Sequence, residues 1–239
     1  MKRRHYLTNL ILNIKDFLFP SVCALCEKSL INEEEIGLGL CADCKDTLKI
    51  ADTNKCAVCG KPLVSEIDTC LPCRNSAQRS FERLWVLYPY TGKYRKLLTA
   101  YKFHKRLSIA NFLSQKALNL INSEPLLQEA VIVPVPPRPG KIKHSGWDQV
   151  EYLVKVIEKQ SGEKVSRVLK RRKSKVQKEL NRSERLENLK GRIYTEGSAP
   201  ETALIIDDVI TTGSTMEVCA QVLKEAGAKR VYGLCLFYD

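Results

Sequence analysis

Residues 203 to 215 read Ala203-Leu204-Ile205-Ile206-Asp207-Asp208-Val209-Ile210-Thr211-Thr212-Gly213-Ser214-Thr215, and no other stretch limits the fold so tightly. The apolar run from Ala203 to Ile206 has the length of a buried strand, and the two adjacent acids predict that the strand ends there. Gly213 can take backbone angles closed to other residues. From Ser214 an apolar period through Val218, Val222 and Leu223 predicts a helix closed by Gly227. A strand, a tight loop and a helix start in that order make an anion cradle. The N–H groups from Thr211 to Thr215, the positive end of the helix dipole and the Thr and Ser hydroxyls converge where a phosphate would sit, with Asp207 and Asp208 facing whatever carries it. The competing reading is an ordinary strand-to-helix turn with a solvated acid pair. The register of acids, glycine and hydroxyls favours the cradle.

The N-terminal third carries four CxxC pairs, Cys23/Cys26, Cys41/Cys44, Cys56/Cys59 and Cys70/Cys73. The two-residue spacer turns both thiolates of a knuckle onto one cation, and two knuckles close a tetrahedral shell with no open position, which is the pattern of structural zinc. The ligands suffice for one or two ions. Sequential pairing is simplest, and interleaved pairing satisfies the same spacing. Redox chemistry is the rival reading, but no thioredoxin-like βαβ pattern adjoins the pairs. Cys219 and Cys235 stand alone on an apolar helix face and an apolar strand and are expected in the core. Residues 21–75 show little apolar periodicity, so metal is expected to hold this module together. Ahead of it Leu7, Leu10, Ile11, Ile14, Phe17 and Leu18 predict an amphipathic helix over residues 5–18, ended by Pro20. Asn13 and Asp16 dilute its basic face, which favours docking on neighbouring modules over a membrane surface.

Charge narrows the partners. Thirty-nine Lys and Arg against 27 Asp and Glu leave a net charge of +12, which points to polyanions such as nucleic acid and phosphate esters. No apolar run is long enough to span a membrane and the N-terminus lacks a signal-peptide core, so a cytoplasmic location is expected. From Tyr90 to Arg106, Lys93, Arg95, Lys96, Lys102, Lys105 and Arg106 interleave with Tyr90, Tyr94, Tyr101 and Phe103. Bases of a single strand can stack on such aromatics while phosphates meet the cations. Equally, the stretch can be a helix with its aromatics inward and its cations solvated. Between Lys164 and Arg192 lie twelve Lys and Arg and three Glu. They include Lys170, Arg171, Arg172, Lys173, Lys175, Lys178, Arg182 and Arg185, a density that predicts a mobile loop or short helix awaiting a polyanion. The predicted strand Ala130 to Val135 runs into Pro136, Pro137 and Pro139, then Arg138, Lys141 and Lys143, a rigid basic loop suited to pyrophosphate. Strands alternate with helices across residues 84–239, as in an open α/β sheet that binds ligands at the carboxyl ends of its strands.

The segment 203–215 resembles the phosphoribosyl-pyrophosphate (PRPP) signature of the type I phosphoribosyltransferases. The resemblance implies a Rossmann-like, mainly parallel sheet with helices on both sides, preceded here by a small four-cysteine zinc-ribbon module over residues 21–80. It further implies that Asp207 and Asp208 bind the ribose hydroxyls, that Mg²⁺ accompanies the PRPP, and that Thr211, Thr212, Gly213, Ser214 and Thr215 hold the 5′-phosphate. Arg138, with Lys141 and Lys143, falls at the pyrophosphate loop. Over nearly its full length the chain is similar to the ComF (ComFC) family of competence proteins. Leu18-Phe19-Pro20, Gly146-Trp147-Asp148-Gln149, and Ser174 to Gln177 with Leu180, Arg185 and Asn188 look like its motifs, while Ser145 stands where that family has Arg and Trp147 and Asp148 replace its Phe and Asn. This resemblance implies a protein of natural transformation that handles incoming single-stranded DNA beside a helicase-like partner. Thr211 occupies the position of the general-base Asp of purine-salvage transferases, as Thr does in orotate-type members. Three readings follow: a competence protein with transferase activity on an unknown acceptor, a nucleobase-salvage transferase with a structural zinc module, and a non-catalytic scaffold whose zinc module docks the partner.

Overall fold

The computed structural model describes residues 21–50, 54–63, 68–74, 79–172 and 191–239. The helix expected over residues 5–18 and the basic residues Lys173, Lys175, Lys178, Arg182 and Arg185 lie outside them.

Four strands form one parallel sheet: β1 (Arg83–Pro89), β2 (Val131–Pro134), β5 (Thr202–Ile210) and β6 (Arg230–Tyr238), in the order β1-β6-β5-β2. The central pair, β5 and β6, is rich in Ile, Val and Leu without polar alternation, the composition of strands covered on both faces. Helices supply the cover. On one face α4 (Gly92–Lys102), α5 (Ile109–Ser123) and α7 (Gln149–Ser161) pack Leu97, Phe112, Leu113 and Leu153 against Leu204, Ile206, Leu234 and Leu236. On the other face α8 (Ser214–Glu225) packs Met216, Cys219 and Leu223 against Ala203, Ile205, Val231 and Cys235. Cys219 and Cys235 are therefore core residues, as expected. Successive residues of a strand point to opposite faces, and the two clusters follow that alternation from Ala203 to Ile206.

Three local expectations are corrected. The strand does not end at the acids, because β5 continues through Asp207 and Asp208 to Ile210, held by β6 in parallel register as far as Ile210↔Tyr238. The basic loop after β2 contains a short helix, α6 (Lys141–Ser145), bounded by Gly140 and Gly146, both with positive φ. The edges of the basic tract are strand rather than helix or loop: β3 (Leu169–Arg171) pairs antiparallel with β4 (Ile193–Thr195). Leu169 and Ile193 join the α8-side core, and that apolar anchor outweighs the charge repulsion that dominates the sequence pattern.

The cysteine-rich module is also better anchored than its weak periodicity suggests. Its first half contains α1 (Glu33–Leu38) and α2 (Ala42–Thr47), and Leu38, Leu40 and Leu48 are buried in the same cluster as α5. The second half includes α3 (Leu71–Arg74) and leans on β1, where the Leu84 N–H donates to the Val58 carbonyl at 3.0 Å. Gly60 has φ +69° there, and a Cβ on it would lie 2.7 Å from the Leu84 carbonyl oxygen, so the close approach requires glycine.

Candidate functional site

The cysteines sort by sequence. Cys23, Cys26, Cys41 and Cys44 form one group and Cys56, Cys59, Cys70 and Cys73 the other, with all sulfurs of a group within 4.8 Å of one another. Cys26 and Cys41 Sγ are 3.6 Å apart, as are those of Cys59 and Cys70. A tetrahedron of zinc–sulfur bonds of about 2.3 Å has edges of about 3.8 Å, so both groups fit structural zinc and the pairing is sequential.

The second cysteine group stands directly behind the hydroxyl-rich loop. Cys59, Cys70 and Cys73 line one side of a cavity of about 160 Å³, and Thr211, Thr212 and Gly213 line the other. A short clasp ties the two regions together. The Ser80 N–H and hydroxyl donate to Glu217 Oε1 of α8 at 3.0 and 2.7 Å, and Arg79 lies 3.8 Å from the other oxygen of that carboxylate.

The loop is shaped as a cradle. Gly213 takes φ +77° at the N-cap of α8, the conformation that turns the chain from the strand end into the helix. The Thr212 and Ser214 hydroxyls lie 2.9 Å apart. Among the described residues no backbone bond engages the N–H groups of Thr211, Thr212 or Gly213. A helix N-terminus with unpaired amides attracts an anion through its dipole and its donors together. All five loop residues and Asp207 border one small pocket, while Thr215 and both acids also border a larger cavity of about 670 Å³. That volume lies in the usual range for small-molecule sites.

Arg138 and Lys141 of the expected pyrophosphate loop line the larger cavity, whereas Lys143 is exposed and not part of its wall. Two further cations border it from elements the sequence did not connect to it, Lys102 at the end of α4 and Arg171 at the end of β3. Burial, and then the positive charge of Arg138, depress the Arg171 guanidinium below its ordinary value. Cations forced together in this way are stabilised by an incoming anion.

The two acids have unlike surroundings because neighbouring strand residues point to opposite faces. Burial, reinforced by the charge of Asp208, pushes the Asp207 carboxyl well above the usual carboxylate range. Burial acts on Asp208 in the same sense but is outweighed, mainly by the Lys102 ammonium, so Asp208 is held below its ordinary value. Asp208 Oδ2 accepts from Lys102 Nζ and from Gln149 Nε2, each at 2.7 Å, and its Oδ1 accepts from the Val209 N–H at 2.9 Å. Asp207 Oδ1 accepts from the Asp208 N–H at 2.8 Å. Three of the four carboxylate oxygens are thus engaged by the protein. Mg²⁺ demands a near-octahedral set of oxygens about 2.1 Å away. These residues do not fit a divalent ion seated on the acid pair.

Other departures from the expected motif are accommodated locally. Asp148 caps α7, its Oδ1 accepting from the Val150 and Glu151 N–H groups, and its Oδ2 takes the Lys141 ammonium at 2.6 Å. Lys141 Nζ also bonds Gln149 Oε1. Ser145 donates to the backbone carbonyls of Lys141 and Trp147, while Trp147 packs edge-on against the buried Tyr101.

The basic residues of the Tyr90–Arg106 stretch have internal partners. Lys93 donates to the Thr47 carbonyl, Lys96 to Leu25 and Arg106 to Val22, all on the first cysteine module, and Lys105 donates to Ser145. Arg95 lies over the Tyr90 ring, and Tyr101 is fully buried. These cations act as clamps, most of them between the module and the region around α4, and the Tyr101 ring faces inward. Lys170 pairs loosely with Glu196 and Arg172 lies over the Tyr194 ring. Sequence reasoning did not place Lys102, Gln149, Arg171 or Glu217 at this site, since no local signature links them to the loop after β5.

A family model for a double zinc ribbon domain matches residues 14–74, and one for a phosphoribosyl transferase domain matches residues 155–239. The competence protein ComFC of Streptococcus pneumoniae is 30% identical over 197 residues, covering 80% of this chain and 84% of that protein. The DNA utilization protein YhgH of Escherichia coli K12 is 28% identical over 229 residues, covering 91% and 96%. Among solved structures, an allosteric regulatory enzyme of purine biosynthesis superposes with TM-score 0.37 and 16% identity over 54% of this chain, which spans only 26% of that one. The transferase domain match and the parallel sheet carrying its signature after β5 give the fold as that of a type I phosphoribosyltransferase with an N-terminal zinc-ribbon module.

Proposed function

The chain belongs to the ComFC family, and from that premise we propose that it handles single-stranded DNA during uptake in the cytoplasm and binds PRPP in the 670 Å³ cavity. The observation that carries the PRPP reading is that the pocket lined by the Thr211–Thr215 cradle and the cavity lined by the acid pair, Arg138 and Arg171 share Asp207 and Thr215 as common wall residues. The 5′-phosphate is taken by the free N–H groups of the loop and the diphosphate by the arginines. Asp207, whose second oxygen is uncommitted among the described residues, receives a ribose hydroxyl. Mg²⁺ enters this account only as a companion of the ligand's own diphosphate oxygens. The relatives' names, a competence protein and a DNA utilization protein, together with the net charge of +12, support the DNA reading. A helicase-like protein is the expected partner on that route.

Transfer of the ribosyl group to an acceptor passes through a cationic sugar, and an ionised carboxylate beside the ribose, the state in which Asp208 is held, is the kind of group that stabilises it. Thr211 offers no general base for a purine, which places nucleobase salvage second. The test is fluorescence anisotropy with a labelled single-stranded oligonucleotide across a salt series, with and without PRPP, alongside a pyrophosphate-release assay with nucleobases. The expected result is DNA binding that weakens steeply with salt, and no nucleobase-dependent release. Release driven by a nucleobase, with no DNA binding, would replace this reading by salvage.

A further inference from the structure

The likeness to type I transferases brings a metal in with the ligand, but here an ammonium already stands beside the acid pair. Lys102 reaches from the last residue of α4 to Asp208, 106 positions away in sequence, and meets it at 2.7 Å with side-chain exposures of 29% and 9%. Gln149 braces the same oxygen, and its own backbone carbonyl is fixed by the buried Tyr101 hydroxyl at 2.6 Å. The arrangement is built from three separate elements, so it is not an incidental surface contact. Of the three N–H donors of an ammonium, one is used on Asp208 among the described residues. The same side chain forms part of the cavity wall that also includes Arg138, Arg171 and Asp207.

Resting on the PRPP reading above, we infer that Lys102 is a resident cation of the sugar–diphosphate site. It neutralises Asp208 and turns its remaining donors toward the diphosphate, so that the ligand binds without depending on a divalent metal. Charge supports this assignment. The Lys102–Asp208 and Lys141–Asp148 pairs cancel internally, leaving Arg138 and Arg171 against the single carboxyl of Asp207, still a positive balance, around a cavity whose acid pair offers a metal one uncommitted oxygen among the described residues. A polyanionic sugar diphosphate is attracted to such a wall without first being neutralised by an ion. Lys102 is thus a specificity-determining residue: it selects a ligand with a diphosphate next to a ribose and removes the need for the metal to bridge them.

The test is calorimetric titration of PRPP into zinc-loaded protein, once with excess Mg²⁺ and once in metal-depleted buffer, with retained zinc confirmed by elemental analysis. Wild type is expected to bind in both, with affinities within about threefold. Replacing Lys102 alone leaves Asp208 buried without its partner and risks misfolding, so the comparison variant is the double substitution Lys102→Met with Asp208→Asn, checked by thermal denaturation. That variant is expected to lose about tenfold or more in metal-depleted buffer, whereas Lys102→Arg retains metal-independent binding. Wild type that binds with Mg²⁺ but loses more than about tenfold without it overturns the inference while leaving the PRPP reading intact. The double variant matching wild type without metal also overturns it. Absence of binding in both buffers overturns the PRPP reading and this inference with it.

Discussion

Asp207 is the residue on which stability and binding pull apart. Its carboxyl is held well above an ordinary value of about 3.9, chiefly by burial. A raised folded-state value means that the unfolded chain ionises first, so the fold loses stability as pH rises from about 4 towards the folded value. Asp207→Asn removes that penalty. It is expected to raise the melting temperature at pH 7 to 8 by a few degrees, on the scale of about 2–4 °C per kcal/mol for a chain of this size, with the gain shrinking towards pH 4. An equal or lower melting temperature at pH 8 would show that the buried carboxylate is satisfied by contacts not accounted for. Asp208 has the opposite sign. Its value is lowered, so its contribution is present above about pH 4 and is lost as pH falls through the folded value. Lys102→Met should therefore cost about 3 kcal/mol at neutral pH, read from denaturant midpoints, because it strands a buried charge.

At the scale of elements, the second cysteine knuckle and the phosphate loop share a cavity wall and are tied through Ser80 and Glu217. Removing zinc from that knuckle, by Cys59→Ser with Cys73→Ser, is expected to increase amide exchange across residues 211–217 and weaken PRPP binding while leaving the α5–α7 core protected. Unchanged exchange in the loop would show that the knuckle and the loop are independent. What could be read from the sequence divides along the same line. The CxxC pairs and the loop after β5 were legible because their chemistry is written in adjacent residues. The far end of β5 was not, since the acids at 207 and 208 look like a terminus until the β6 ladder is seen to carry the strand past them. The β3–β4 pair was hidden for a related reason: three-residue strands in a tract of Lys and Arg carry too little apolar pattern to outweigh the charge.

Across the whole molecule the excess positive charge is unevenly available. Lys93, Lys96 and Arg106 bind carbonyls of the first zinc module, so substituting them should lower thermal stability more than DNA affinity. Changing Lys173, Lys175 and Lys178 to Gln should instead flatten the salt dependence of single-stranded DNA binding, by roughly 0.7 in log–log slope for each phosphate left without its cation. The reverse pattern would move the DNA path onto α4. That Lys102, Gln149 and Arg171 share this site could not be read from the sequence, for a reason that belongs to this scale. They come from α4, α7 and β3 and meet only when the sheet is assembled. The account rests on a phosphorylated sugar occupying the space between the acid pair and the Thr211–Thr215 loop. Calorimetric titration of PRPP into wild type and Asp207→Ala tests it most directly. One equivalent should bind to wild type, with affinity reduced about tenfold or more in the variant; absence of heat with wild type, or equal affinity for both proteins, would contradict it.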